Sequence, residues 1–208
     1  MANCRILISM LLSLGCVFPS LVMAKVNPSL QDIPPAYRKI AAEARIPAEA
    51  LYSLALTESS RRMPVGERPW PWTINVAGKG YRYETREEAW QALLQFVRKA
   101  PLKRIDVGIA QVNLGWNGHL FPSFYDAFDP YINLRVASRI LRACYDSNPG
   151  SWIKAAGCYH HPAGGKPAAI YIAIVRRKLD TISPSMPIQK APEDVVLASN
   201  QLTWIEPK

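Results

Sequence analysis

Glu58 sits where a protonated side chain could do chemistry. It lies four residues after Leu54 and three after Ala55, on the face begun by Leu51, so helical spacing carries an apolar stripe into a carboxyl. A carboxyl at the inner end of such a stripe loses solvation and holds its proton to higher pH. That is what a general acid for glycoside cleavage needs. The same spacing fits a helix-end carboxylate turned outward or paired with Arg61 or Arg62, and on periodicity alone this is the commoner arrangement. Two further segments carry reactive side chains. Asp106-Val107-Gly108-Ile109-Ala110-Gln111-Val112-Asn113 is an apolar stretch, with a glycine that lets backbone approach a ligand and an amide, Gln111, suited to sugar hydroxyls or acetamido groups. Ala155-Ala156-Gly157-Cys158-Tyr159-His160 reads as a helix end delivering a phenol and an imidazole to a loop, although a lone Tyr is more often a core aromatic. Cys158, His160 and His161 fall short of a four-ligand metal site, so no metal is expected there.

These residues must be held by a mainly helical chain. Pro34-Pro35 opens a helix to Arg45, with Tyr37, Ile40 and Ala41 along one side, and Ile46-Pro47 opens the helix that bears Glu58. From Met63 to Arg82 the character changes. Prolines alternate with Trp70 and Trp72, and Thr73–Val76 and Tyr81–Tyr83 flank Ala77-Gly78-Lys79-Gly80 as a small β-hairpin. Thr85-Arg86-Glu87-Glu88 is a capping box for a helix with Ala89, Leu93, Phe96 and Val97 on its apolar face. Asp129-Pro130 starts a helix through about Tyr145, Ser151 caps one from Trp152 into Cys158, and Pro167 opens the last, to about Leu179.

The chain has 208 residues and a formal charge of +9, enough for one compact domain and something small. Met1–Arg5 is weakly basic, Ile6–Val22 is apolar, and Val22-Met23-Ala24 offers a signal-peptidase site. Residues 1–24 are therefore expected to be a signal peptide and the protein periplasmic. Gly15-Cys16 is the weaker, lipoprotein alternative, because Ser13 stands where Leu is usual. Removing 1–24 takes away Arg5 alone and lowers the charge from +9 to +8. The basic residues form no run and no nucleic-acid motif occurs, so no nucleic-acid partner is expected. Cys144 and Cys158 then remain, an even pair that reads as one disulfide in an oxidising compartment. Residues 25–182 make the domain and 183–208 a Pro-punctuated tail.

In order, Glu58-Ser59, Gly108 to Asn113 and Ala155 to His160 resemble the three motifs of the soluble-lytic-transglycosylase domain: the Glu-Ser pair, the Gly-Leu-Met-Gln-Ile element and the Ala-Tyr-Asn element. Asp129-Pro130 with Asn133 strengthens the resemblance, which covers Pro34 to Leu179. Ala110, Val112 and His160 depart from the usual Met, Ile and Asn. The Tyr159-His160 pair and the Pro69–Trp72 insertion resemble the branch associated with conjugation, integrative elements and type IV secretion. The resemblance implies a lysozyme-like, mainly α (α+β) fold with a small hairpin, and a monomer acting on peptidoglycan glycan strands. Glu58 would be the single acid/base, cleaving the MurNAc–GlcNAc bond to a 1,6-anhydro end with no metal or organic cofactor. Ser59, Gly108, Ile109, Gln111, Asn113, Tyr159 and His160 would line the cleft. Trp70, Trp72 and Tyr81 would stack on sugar rings or pack the hairpin, with Trp72 the more buried and Trp70 the better sugar contact. A goose-type muramidase and a glycan-binding assembly scaffold without activity are the alternatives.

Overall fold

The computed structural model describes residues 30–184. The expected leader, Cys16 and the tail beyond residue 184 lie outside the described residues. About 56% of the described chain is helical, with a small antiparallel sheet, so the mainly α (α+β) expectation holds. The first helix, α1 (Pro35–Glu43), buries Tyr37, Ile40 and Ala41. It ends two residues earlier than expected, because Arg45 turns left-handed at φ 54° and redirects the chain into Ile46. The second, α2 (Ala48–Ser59), is buried on almost every side: Ala50 through Leu56 and Ser59 are all inside. A helix apolar all round belongs in the centre of a fold. α2 is flanked by α1, by α6 (Trp152–His160) and by α7 (Gly165–Leu179).

The β content exceeds the one hairpin expected. Two strands follow α2 at once: β1 (Ser60–Met63) pairs antiparallel with β2 (Gly66–Pro69). Neither strand alternates apolar with polar residues, so pattern alone does not reveal them. The expected hairpin is β3 (Thr73–Val76) and β4 (Lys79–Arg82), joined by Ala77-Gly78, both with positive φ, the geometry of a tight two-residue hairpin turn. β5 (Ile105–Val107) pairs with β3, and β6 (Val112–Asn113) pairs with β5, giving the order β4-β3-β5-β6. Across it, Asn75 faces Asp106 and Asp106 faces Asn113.

The capping signals act as their chemistry dictates. Thr85 accepts from Glu88 N at the start of α3 (Arg86–Phe96), and Glu88 reaches back to Glu84 N. A four-residue helix, α4 (Leu114–Asn117), is capped by Asn113. Asp129 accepts from Tyr131 N and Ile132 N at the start of α5 (Pro130–Ser147), and Ser151 caps α6. α6 runs on to His160, so Tyr159 and His160 belong to the helix and not to a loop; α7 starts at Gly165, two residues before Pro167. Backbone bonds from Gln31 to Thr181 and Ser183 close the two ends of the described chain.

Cys144 of α5 and Cys158 of α6 form a disulfide with Cα atoms 5.8 Å apart, beside the residue that carries the Tyr159 phenol. The loop it closes is short, so the chain-entropy model gives about 3 kcal/mol. Replacing both cysteines by serine is expected to lower unfolding free energy by that order in denaturant titration. A double variant as stable as wild type would show that the bridge adds nothing.

Candidate active site

A cavity of about 770 Å³ opens between the sheet, the end of α2 and α6. Glu58, Gln111, Asn113, Tyr159 and His160 line it, so residues of all three sequence segments meet at one place. Glu58 is half-buried, and its carboxyl is enclosed by protein. Burial pushes its pKa to about 8; a hydrogen bond from Tyr171 opposes this and the nearby Asp106 charge adds to it. No ion pair reaches Glu58 among the described residues, so the outward or arginine-paired arrangement does not occur; Arg61 pairs with Glu84 instead. The Tyr171 hydroxyl donates to Glu58 Oε1 at 2.6 Å, leaving Oε2 to carry the proton. His160 stacks on the Tyr171 ring at 4.3 Å with the planes 5° apart. It supports the phenol that holds the acid. Burial, then His161, lowers its pKa, which favours the neutral imidazole.

The turn from Gly108 to Gln111 is built by a residue of another element. Asn133 of α5 is fully buried; its Oδ1 accepts from Ala110 N, and its Nδ2 donates to Val107 O and Ala127 O. Gly108 has φ +84°, and a Cβ there would overlap the Asn133 amide and Ala127 O. The close approach that requires glycine is thus to Asn133 and not to a ligand. Gln111 has φ 48°, a conformation costly for a residue with a side chain. Its Nε2 donates to Thr73 O and Gly108 O, which leaves Oε1 as its group for a ligand. Tyr159 OH donates to Ala110 O at 2.8 Å, and burial, followed by Glu58 and Asp106, raises its pKa well above the usual tyrosine value.

Several expected contacts are spent elsewhere. Ser59 is fully buried: its hydroxyl donates to Ile109 O at 2.6 Å and accepts from Trp70 N, tying the end of α2 to the turn and to β2. Ile109 is buried as well. Asn113 lines the cavity, but its amide is used in full: Oδ1 accepts from Gly115 N and Trp116 N, and Nδ2 donates to Lys103 O and Asp106. Trp70 and Trp72 are 4% and 5% exposed and pack edge to face, and Trp70 Nε1 donates to Tyr83 O. Trp70 is therefore core and no more open than Trp72. Tyr81 leans on Phe96, away from the cavity lining.

Three residues at the site have no role that the sequence assigns. Tyr171 is 113 positions from Glu58, a pairing no local pattern marks. Trp116 is 61% exposed on the cavity rim, with Lys103 Nζ 4.0 Å over its ring; the close seating of α4 on Lys103 needs Gly115, where a Cβ would overlap the Lys103 backbone. Asp106 shares the cavity with Glu58. The described residues hold no group of acidic, His and Cys side chains arranged for a metal. Compared with protein-family models, curated proteins and solved structures, the chain finds no match.

The raised pKa of Glu58 is also a statement about stability. Folding favours the protonated form, so this stabilisation is full below the unfolded value near 4.5 and is lost as pH rises through about 8. Glu58→Gln should accordingly melt above wild type beyond pH 8 and close to it below pH 4.5. Melting curves with the same offset at both extremes would contradict the shift.

Proposed function

We propose that this chain is an exported peptidoglycan lytic transglycosylase of lysozyme-like fold, cutting the MurNAc–GlcNAc bond without water. One observation carries the proposal: the Glu58 carboxyl, without an ion pair among the described residues, lies in an open cavity lined by amide, phenol and imidazole groups, where burial pushes its pKa up to about 8. A general acid tuned close to the working pH is what glycosidic cleavage demands. Glu58 Oε2 gives its proton to the leaving GlcNAc oxygen as the C1–O bond breaks. The muramyl 6-hydroxyl then bonds to C1 and returns its proton to Glu58, leaving a 1,6-anhydro end and a free 4-hydroxyl. The substrate acetamido group can assist at C1, which relieves the protein of supplying a nucleophile. Gln111 Oε1 is suited to an acetamido N–H or a hydroxyl. The resemblance of Tyr159-His160 and Pro69–Trp72 to the conjugation branch suggests local wall opening for a conjugation or type IV secretion apparatus. Neither metal nor organic cofactor enters this chemistry.

Glu58→Gln should fold and lose release of soluble muropeptides from purified sacculi by about 10²–10⁴-fold. Release near the wild-type rate would remove Glu58 from the mechanism. Wild-type kcat/KM should fall as pH rises through about 8, where the acid loses its proton.

The aromatic platform for sugar is Trp116, since sugar rings present apolar faces and its own lies open on the rim. Trp116→Ala should raise KM for long strands with little change in melting temperature. Trp70→Ala should cost about 3–5 kcal/mol in stability. Normal KM in Trp116→Ala would remove the platform from the account.

A further inference from the structure

Five exposed cations gather at one end of the four-stranded sheet: Lys79, Arg98, Lys99, Lys103 and Arg104. Strand pairing and ring contacts bring them together. Val76 faces Lys79 on one side and Ile105 on the other, and Ala77 N donates to Arg104 O at 2.9 Å. Lys79 Nζ lies over the Tyr81 ring, which leans on Phe96, the last residue of α3. Arg98 and Lys99 follow that residue at once. Lys103 Nζ sits over Trp116 on the cavity rim, so the basic end of the sheet runs into the mouth of the cavity.

Nothing on the protein neutralises this end. None of the ion pairs among the described residues includes any of the five, and no Asp or Glu occurs between Glu88 and Asp106. Asp106 lines the cavity and is bonded by Asn113. Glu84 is paired with Arg61, and Glu87 and Glu88 stand at the far end of α3, roughly 15 Å along the helix axis. The carbonyl end of α3 accounts for cations at 98 and 99 but not for Lys79 or Arg104, which the sheet supplies. Like charges held side by side repel, and an anionic partner removes that cost.

We infer that this basic end is a second binding site for substrate, one that takes the carboxylates of the peptides borne on the glycan. It rests on the glycan-cleaving function proposed above. In an intact strand the muramyl carboxyl is tied up as the amide that joins the peptide, so the negative charge of the polymer lies on its peptides. The cavity offers sugars amide, phenol and imidazole groups; charge is met outside it, beside Trp116, where a strand seated on that ring carries its peptides over the rim. An anionic membrane has the right charge, but Trp116 is the one exposed large apolar side chain at this end among the described residues, and interfacial binding needs a broader apolar face.

Soluble strands freed from sacculi by an endopeptidase keep their peptides. One pool has its amines acetylated; a second is acetylated and its carboxyls are then coupled to methylamine, which removes the charge and leaves the glycan alone. Both pools are titrated against Glu58→Gln protein, so that binding is read without cleavage. The charged pool should bind about tenfold tighter at low salt, and the preference should disappear in about 1 M salt, where screening acts within roughly 3 Å. Adding Lys79→Gln, Lys99→Gln and Arg104→Gln together should make the two pools bind alike, with the melting temperature held near that of the parent. Equal binding of the two pools by the parent, a preference that survives 1 M salt, or a folded triple variant that keeps the preference overturns the inference. Tighter binding to phosphatidylglycerol vesicles than to charged strands overturns it too, by making the surface a membrane site. If wild type releases no muropeptide from sacculi, the catalytic function fails by itself, and the preference for charged strands still decides the inference.

Discussion

The side-chain amide of Asn133 holds the backbone from Val107 to Ala110 and Ala127 with three hydrogen bonds, wholly out of water. The site hangs on that junction. Ala110 O, positioned by it, accepts from Tyr159; Ile109 O accepts from Ser59 at the end of the Glu58 helix; Gly108 O accepts from Gln111. A buried backbone group left unpaired costs about 1–3 kcal/mol, and loss of Asn133 would take a partner from three backbone groups at once. A glycine at 108 is the steric condition for this arrangement, since any Cβ would meet the Asn133 amide. The residues that look most like ligand-binding backbone are therefore first a joint between α5, the sheet and α2.

The same joint explains why the acid can be both buried and accessible. The centre of α2 is enclosed on nearly every side, yet its end emerges where the turn and α6 leave a cavity. Glu58 loses solvation without gaining a cation, and the hydrogen bond it accepts comes from a tyrosine that is itself buried and stacked under His160. Desolvation outweighs the Tyr171 bond, so the net shift is upward, to about 8. A protein that placed Arg61 on Glu58 rather than on Glu84 would be more stable at high pH and would have no acid at neutrality.

Much of this was legible before any coordinates. Thr85, Asp129 and Ser151 cap as local chemistry requires, the Ala77-Gly78 turn is where Gly falls between two strands, and Cys144 pairs with Cys158. The stripe running into Glu58 is compatible with a desolvated carboxyl, but periodicity alone favours an outward one, and only the enclosing elements decide it. What stayed hidden depends on contacts distant in sequence or on the use of polar groups already taken. Ser59 and Asn113 carry the right chemistry for sugar, but backbone groups consume their hydrogen bonds. Trp70 is a sugar platform by resemblance alone; it packs in the core edge to face with Trp72. Asp106 and Trp116 acquire meaning only from strand register and from the seating of α4 on Lys103, neither of which a hydrophobic period encodes.

The central claim is that Glu58 acts without an attacking water, and the chemistry of the new glycan end tests it most directly. Purified protein would be incubated with sacculi and the released muropeptides read by mass spectrometry. Cleavage by Glu58 with the muramyl 6-hydroxyl as the attacking group gives 1,6-anhydro ends. Reducing ends alone would make the protein a muramidase, and a wild-type protein that binds sacculi but releases nothing would make it a scaffold; either result contradicts the account.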